Sequence, residues 1–284
     1  MVSTVRAAVD PGRFLLGAAL ACGVLAVLTG AAAVLDYPLL PAAAAVPPGA
    51  LVDPATRAVH GAAGSLLVVA FALAWVWACL RADDAPQRSR VALASSLAFV
   101  ATLVAFWTGR VLTGDQHGWE SWSHLAAAVD TLRGAEATPP DPQSVPLRTL
   151  LVVHVLAALA VAAAFLVPAR SWRPRFEALA RLGRDARFLT GALGATLATV
   201  VLAVLARPLG PAPIVDLAVS RPDWPFLWVA GCERLFGAWG PVFGGMAFVG
   251  VVFGAASNAR RRPRVVLLSL LAASTAILSA AGAW

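Results

Sequence analysis

The sequence is poor in charged residues: Asp, Glu, Lys and Arg make up only 13% of its 284 positions, against 60% hydrophobic residues. A soluble domain needs a far larger charged surface, which excludes the soluble globular classes. Lysine is absent, and the net charge of +7 comes from arginines that lie between apolar runs. This positive charge is typical of the loops of a membrane protein, and we predict no nucleic-acid partner.

Cysteine is also scarce. Cys22, Cys79 and Cys232 form no Cys-x-x-Cys pair and no spacing typical of a metal site. We interpret Cys22 and Cys79 as small apolar residues inside helices. Covalent attachment of a c-type haem and ligation of an iron–sulfur cluster by this chain are therefore not expected.

Seven apolar runs have the length of ~20 residues that crosses a bilayer as an α-helix. They cover residues 14–35, 54–80, 91–111, 147–167, 188–205, 242–256 and 265–281. A signal peptide is the alternative for the first run, because Arg6 and Arg13 precede it, but the run is long for a signal core. Shorter helices are predicted over 119–132 and 226–236. The sequence thus predicts an all-α integral membrane protein with seven transmembrane helices.

The arginines predict the orientation in the membrane. Most of the 22 arginines fall on the side that holds the N-terminus, which the positive-inside rule assigns to the cytoplasm. We expect a multi-pass protein of a bacterial cell (inner) membrane, surrounded by the lipid bilayer. The second and fourth spans then both begin at the outer face.

Two spans carry one histidine each near their start. The second span contains Arg57 and His60, and the fourth repeats this arrangement with Arg148 and His154. Ionisable residues in membrane spans are rare and usually functional. Two histidines at similar depth are what a bis-histidine haem needs, and arginine suits the haem propionates. The alternatives are two isolated polar residues packed between helices and two positive charges at the helix mouths.

Five segments carry a longer pattern. They are GRFLLGAALACGVLAVLTG in the first span, TRAVHGAAGS in the second, TGRVLTGDQHGWESW at the end of the third, the histidine of the fourth, and RPDWPFLW before the sixth. In this order they resemble the cytochrome b family, the haem subunit of quinol–cytochrome c oxidoreductases, in its seven-span chloroplast-type arrangement. RPDWPFLW resembles the family's PEWY loop, which lies beside quinol. The resemblance covers nearly the whole chain.

The resemblance implies a four-helix haem-binding region over residues 1–168 and a three-helix region with the quinol loop over 169–284. The cofactor is expected to be one haem b, held without covalent bonds. The implied cofactor-binding residues are Gly30, Arg57, His60, Gly109, Arg148 and His154, with His60 and His154 as the metal ligands. Asp223 is the implied catalytic base for quinol, because its carboxylate can accept a proton.

The chain departs from the family in two places. Each histidine helix of the family carries a second histidine roughly four turns, or ~20 Å, further on, for a second haem. The corresponding places here fall near Ala74 and near residues 168–169, where no histidine occurs. The quinol loop has Asp223 in place of Glu and Pro225 in place of Tyr. We therefore expect a single haem near the outer face and an altered quinol loop.

The expected function is that of a membrane b-type cytochrome subunit in a respiratory or photosynthetic complex. It would exchange electrons between quinol or quinone and a partner redox subunit, either an iron–sulfur protein or a c-type cytochrome, as a non-autonomous part of an oxidoreductase. The alternative is a degenerate cytochrome b scaffold without a working quinol site. A transporter would need charged or broken helices at mid-membrane, which these spans lack. His117 and His124 are expected in the outer loop, as solvent-exposed residues or as contacts for a metal or a partner.

Overall fold

A computed structural model describes residues 11–37, 47–81, 86–135, 141, 144–171, 185–206, 208–210, 212–214, 223–237, 239–257 and 261–282. Within these ranges the regular structure is helical and contains no β-strand. The helices are α1 (Pro11–Asp36), α2 (Pro54–Arg81), α3 (Pro86–Leu112), α4 (Gln116–Leu132), α5 (Leu147–Ser171), α6 (Ala186–Val204), α7 (Leu227–Phe236), α8 (Trp239–Ser257) and α9 (Arg261–Gly282). Short 3₁₀ turns cover Pro48–Leu51 and Trp224–Phe226.

Seven of these helices are long and apolar enough to cross a membrane: α1, α2, α3, α5, α6, α8 and α9. They correspond to the seven predicted spans, with ends that differ by a few residues. The two shorter helices predicted from the sequence are present as α4 and α7. The chain is thus an all-α membrane protein, as predicted.

Proline and aspartate define several helix starts. Proline is the first residue of α1, α2 and α3, where its fixed φ suits the helix and its missing N–H is no loss. Asp53 accepts from the Thr56 amide at 2.7 Å before α2, and Asp185 accepts from the Phe188 amide at 3.3 Å before α6. These carboxylates satisfy amides that have no partner within the helix.

Helices α1, α2, α3 and α5 form the bundle that holds the two histidines. Helix α1 packs on α2, α2 on α3, and α3 on α5, while α6 packs on α1 and α2, and α8 on α3. Helices α2 and α5 begin at the end of the bundle where α1 and α3 finish, and we call this the histidine end. The helices α1 and α6 touch through reciprocal glycines, because Gly17 faces the Phe188 carbonyl and Gly191 faces the Phe14 carbonyl.

Apolar side chains fill the bundle away from the histidine end. On α2, Leu67 and Phe71 lie about two and three turns beyond His60 on the same face, and both are buried. On α5, Val161 lies about two turns beyond His154 and is also buried. Beside them Trp75 stacks on Phe99, with ring centroids 5.6 Å apart. The interior near Ala74, where the resemblance would place a second haem ligand, is packed with apolar side chains.

The last turn of α3 and the residues after it fasten the loops of the histidine end. The Tyr37 hydroxyl donates to the Leu112 carbonyl at 2.7 Å, and the Gly49 amide donates to the Thr113 carbonyl at 3.0 Å. Gly114 has a positive φ of 64°, and a side chain there would collide with Pro48. Several separate chain segments thus meet above the end of α3.

The contact between α1 and α6 gives a prediction. In Gly191→Ala the new methyl group would meet the backbone of Phe14, so we expect the helices to separate and the protein to lose ~1–3 kcal/mol of stability. Gly194 lies on the same helix with open space around it. Gly194→Ala is the matched control and should be neutral or slightly stabilising, because alanine favours helix. Thermal unfolding of the purified protein in detergent measures both, and equal Tm values would contradict the packing argument.

Candidate functional site

The two span histidines face each other across the bundle. His60 lies within the first two turns of α2, and His154 within the first two turns of α5. Their ring centroids are 6.0 Å apart, with an angle of 56° between the ring planes. Both side chains are partly buried. The structure therefore brings together the two histidines that the sequence singles out.

The His60 ring is fixed by helix α1. Its Nδ1 lies 3.0 Å from the Ala26 carbonyl oxygen and 3.3 Å from Oγ1 of Thr29. The Thr29 hydroxyl donates its own proton to the Leu25 carbonyl at 2.6 Å. Both neighbours of Nδ1 therefore act as acceptors, which requires that Nδ1 carries the proton. The other nitrogen, Nε2, keeps its lone pair.

Helix α3 fixes His154 in the same way. Its Nδ1 lies 2.8 Å from the Ala105 carbonyl and 3.1 Å from Oγ1 of Thr108. The Thr108 hydroxyl donates to the Val104 carbonyl at 2.8 Å. The same reasoning puts the proton on Nδ1 and leaves the Nε2 lone pair free. Neither Nε2 atom has a hydrogen-bond partner among the described residues.

Each imidazole ring packs against a glycine of the neighbouring helix, where there is no side chain to displace it. A Cβ atom on Gly30 would lie 3.0 Å from Cε1 of His60, and one on Gly109 would lie 3.0 Å from Cε1 of His154. A Cβ atom at either position would require the imidazole to shift by a few tenths of an ångström. Gly30 and Gly109 therefore lie at the site, in contact with the imidazoles. Their contact with a haem stays a prediction.

Sequence reasoning missed the acceptors of the imidazole protons. Ala26 and Thr29 stand before Gly30 as AVLTG, and Ala105 and Thr108 stand before Gly109 as AFWTG. This repeated Ala-x-x-Thr-Gly pattern places the carbonyl, the hydroxyl and the glycine on one helical face, since residues three and four apart are neighbours. The repeat is visible in the sequence, and it could have identified these residues.

The two span arginines do not share one environment. Nη1 of Arg57 donates to the carbonyls of Gly49, at 2.6 Å, and Val52, at 3.3 Å. It thereby fastens the Pro48–Leu51 turn to the start of α2. Arg148 lies in the first turn of α5 and is exposed. The role of either arginine at haem propionates stays a prediction.

Asp223 lies at the end of α3 and is paired with an arginine. Its Oδ2 is 3.1 Å from Nε of Arg110, the residue that follows Gly109, and its side chain is 33% exposed. The adjoining Phe226 ring lies 6.2 Å from Phe106, a turn before Arg110. Burial raises the pKa of Asp223, and the positive charge of Arg110 opposes this shift. The RPDWPFLW loop, from Asp223 onward, is thus packed against the end of α3.

Asp115 organises the surroundings of that ion pair. It is fully buried, and Oδ1 accepts from the Gly118 amide at 2.9 Å and from the Thr113 hydroxyl at 2.8 Å. Its Oδ2 accepts from the Gly210 amide at 2.9 Å and lies 3.7 Å from Nη2 of Arg110. Although burial opposes it, Arg110 and these hydrogen bonds hold the pKa of Asp115 below its usual range. Asp115 therefore holds α3, α4 and the Gly210 loop together as a carboxylate.

The remaining histidines, His117 and His124, lie on helix α4. His124 is 48% exposed, and its Nδ1 lies 3.0 Å from Oε2 of Glu233 on α7. This bond to Glu233 raises the pKa of His124, while burial opposes the shift. The pair therefore joins α4 to α7 on the surface of the histidine end.

Two imidazoles placed in this way could hold one metal ion between them. No group of three or more His, Cys, Asp or Glu side chains able to hold a metal ion occurs in the described part of the chain. With the ion ~2.1 Å from each nitrogen, two imidazoles on opposite sides of it have ring centres about 6.5 Å apart, and a tetrahedral pair about 5.3 Å apart. The observed 6.0 Å lies between these values, so the two rings are at a spacing that one ion could bridge. A haem would supply four nitrogen ligands itself, so His60 and His154 could complete its coordination.

Among known proteins, no protein-family model and no curated sequence matches the chain. The resemblance to cytochrome b therefore depends on the segments and contacts of this chain alone.

The pair formed by His124 and Glu233 gives a prediction. Replacing the carboxylate in Glu233→Gln should lower the pKa of His124 toward the ordinary ~6.5 of a histidine. NMR titration of the His124 ring measures the shift, with Asp130→Asn on the same helix as the control variant. Because the folded pKa is raised, the pair stabilises the fold below the unfolded pKa and loses this effect as pH rises through the folded pKa. An unchanged titration would show that Glu233 does not bind the ring in solution.

Proposed function

We propose that this chain is a membrane b-type cytochrome subunit that holds one non-covalent haem b between His60 and His154. It exchanges electrons between quinol or quinone and a partner redox protein. The observation that supports this proposal best is the pair of imidazoles, 6.0 Å apart, each tied through Nδ1 to a neighbouring helix. A bound haem supplies a one-electron iron couple.

The chemistry of the two rings favours a haem over a purely structural pair. Two histidines that only pack helices together would be expected to bond each other or nearby groups through both nitrogens. Here Nδ1 of each ring is satisfied, while both Nε2 lone pairs remain in a partly buried, largely apolar bundle. Both lone pairs are therefore available to a metal ion, and the carbonyl bonds would orient the rings and raise their basicity as ligands.

Asp223 supports the quinol half of the proposal. A quinol that gives up electrons also gives up protons, and a carboxylate within reach accepts one of them as a general base. Asp223 is part-exposed and lies next to α3, the helix that fixes the His154 ring. Arg110 holds this carboxylate at the end of α3.

The scaffold alternative also has an observation in its favour. The ion pair between Arg110 and Asp223 engages the carboxylate that would have to act as the base. A chain with this site blocked would keep the fold and assemble with other subunits without oxidising quinol. In either case we propose that the chain is a non-autonomous subunit. Its proposed partner is an iron–sulfur protein or c-type cytochrome, and its proposed location is a bacterial inner membrane, with the N-terminus in the cytoplasm.

The haem half predicts one b haem per chain, bound through the two span histidines. His60→Ala and His154→Ala should each abolish the low-spin bis-histidine absorbance, because each removes one axial ligand. A pyridine haemochrome assay with haem-to-protein stoichiometry and the visible spectrum of each purified variant measure this.

The controls for this experiment are His117→Ala and His124→Ala, which remove the α4 histidines and should keep the spectrum. Loss of the spectrum in either control would mean that other histidines ligate the iron. A wild-type protein that stays free of haem under adequate haem supply would favour the scaffold.

The quinol half predicts that Asp223→Asn slows reduction of the haem without altering its spectrum. Loss of a general base typically costs ~10²–10⁴-fold in rate. Stopped-flow reduction by a soluble quinol analogue measures the rate in wild type and variant. Equal rates would exclude Asp223 as the base, and absence of reduction in both would favour the scaffold.

A further inference from the structure

Each span histidine has a second acceptor for its ring proton, a threonine hydroxyl on the neighbouring helix. Oγ1 of Thr29 lies 3.3 Å from Nδ1 of His60, and Oγ1 of Thr108 lies 3.1 Å from Nδ1 of His154. The carbonyl that accepts the same proton stands three residues before the threonine, so carbonyl and hydroxyl lie on one face of the helix. Each Nδ1–H is therefore shared between two oxygen atoms.

The two hydroxyls face the rings as acceptors, because each donates its own proton within its helix. The Thr29 hydroxyl donates to the Leu25 carbonyl at 2.6 Å, and the Thr108 hydroxyl donates to the Val104 carbonyl at 2.8 Å. Bonds of this kind, to the carbonyl four residues earlier, are common for threonine in helices. They leave a lone pair of each hydroxyl oxygen for the imidazole proton.

The two threonines differ in their surroundings. Thr108 is fully buried, with 1% of its surface exposed, whereas Thr29 is only partly buried. A hydrogen bond is electrostatically stronger where the surroundings are less polar and water does not compete. We therefore expect the Thr108 hydroxyl to have the larger effect on its imidazole.

An acceptor at Nδ1 changes the imidazole as a metal ligand. A stronger bond from Nδ1–H moves electron density toward Nε2 and makes Nε2 a more basic donor. A more basic axial donor favours ferric over ferrous iron, because the ferric ion carries one more positive charge. Hydrogen bonding to the ligands is thus one of the means by which a protein adjusts the reduction potential of a haem.

We propose that the hydroxyls of Thr29 and Thr108 lower the reduction potential of the haem, and that Thr108 has the larger effect. The inference rests on the proposed function, because it needs His60 and His154 to be the axial ligands. One electron enters on reduction, each ring keeps its Nδ1 proton, and no bond is made or broken in these residues. The threonines are positioning residues, since they act through the imidazoles.

A spectroscopic redox titration of the purified, haem-loaded protein measures the midpoint potential. Valine has the shape of threonine without the hydroxyl, so Thr108→Val removes the acceptor and keeps the packing. At the wild-type midpoint, the ratio of ferrous to ferric haem should rise about threefold or more in this variant. That ratio corresponds to ~30 mV, at ~59 mV per tenfold change for one electron. Thr29→Val should raise the potential by less, and the haem content of both variants should stay that of the wild type.

The matched control is Thr102→Val. Thr102 is buried on the same helix and donates to the Ala98 carbonyl at 2.7 Å, but it has no bond to an imidazole of the described residues. Its replacement should keep the wild-type potential. Thr108→Ser keeps the hydroxyl and should stay close to the wild-type potential, whereas a role in packing alone would make serine the more disruptive change.

Several outcomes would overturn the inference and leave the haem site intact. They are an unchanged potential in Thr108→Val, an equal shift in Thr102→Val, the same shift in Thr108→Ser, or a larger shift in Thr29→Val than in Thr108→Val. A wild type that binds no haem under adequate haem supply would overturn the proposed function and this inference together. So would a bis-histidine spectrum that survives in both His60→Ala and His154→Ala.

Discussion

The structure of the histidine end depends on one kind of hydrogen bond, from an imidazole Nδ1 to a backbone carbonyl of the neighbouring helix. A helical carbonyl already accepts from the amide four residues on, and its second lone pair is available for the imidazole. His60 uses the Ala26 carbonyl in this way, and His154 uses that of Ala105. In an apolar environment, where water does not compete, such bonds fix both the tautomer and the helix spacing. The site is therefore part of the helix packing.

The same end of α3 holds both halves of the site. Thr108 and Gly109 contact the His154 ring, and the next residue, Arg110, pairs with Asp223. A turn later the carbonyls of Leu112 and Thr113 accept bonds from the loops that follow α1. A shift of α3 along its axis would therefore move the imidazole, the ion pair and the loops together.

The sequence was sufficient to predict features that depend on local pattern. Length and hydropathy predicted the spans, and the isolated polar positions predicted His60 and His154, which the structure places 6.0 Å apart. Contacts between distant segments could not be predicted in this way. Arg57 binds loop carbonyls, and Asp223 pairs with Arg110, because loop geometry decides which charges meet. The Ala-x-x-Thr-Gly repeat lies between these cases: its pattern is local, but its meaning appears only once the partner helix is known.

Polar groups lie at one end of the bundle and apolar side chains fill the rest. Under the proposed function, this arrangement limits where an electron can enter and leave the chain. The two histidines, the ion pair of Arg110 and Asp223 and the contact of His124 with Glu233 all lie at the histidine end. Further along α2 and α5 the interior holds Leu67, Phe71 and Val161, which offer no metal ligand. A single haem held at one end cannot pass electrons across the bilayer, since no second cofactor site follows it among the described residues. Donor and acceptor must therefore both approach from the histidine end, where the partner redox protein would also have to bind.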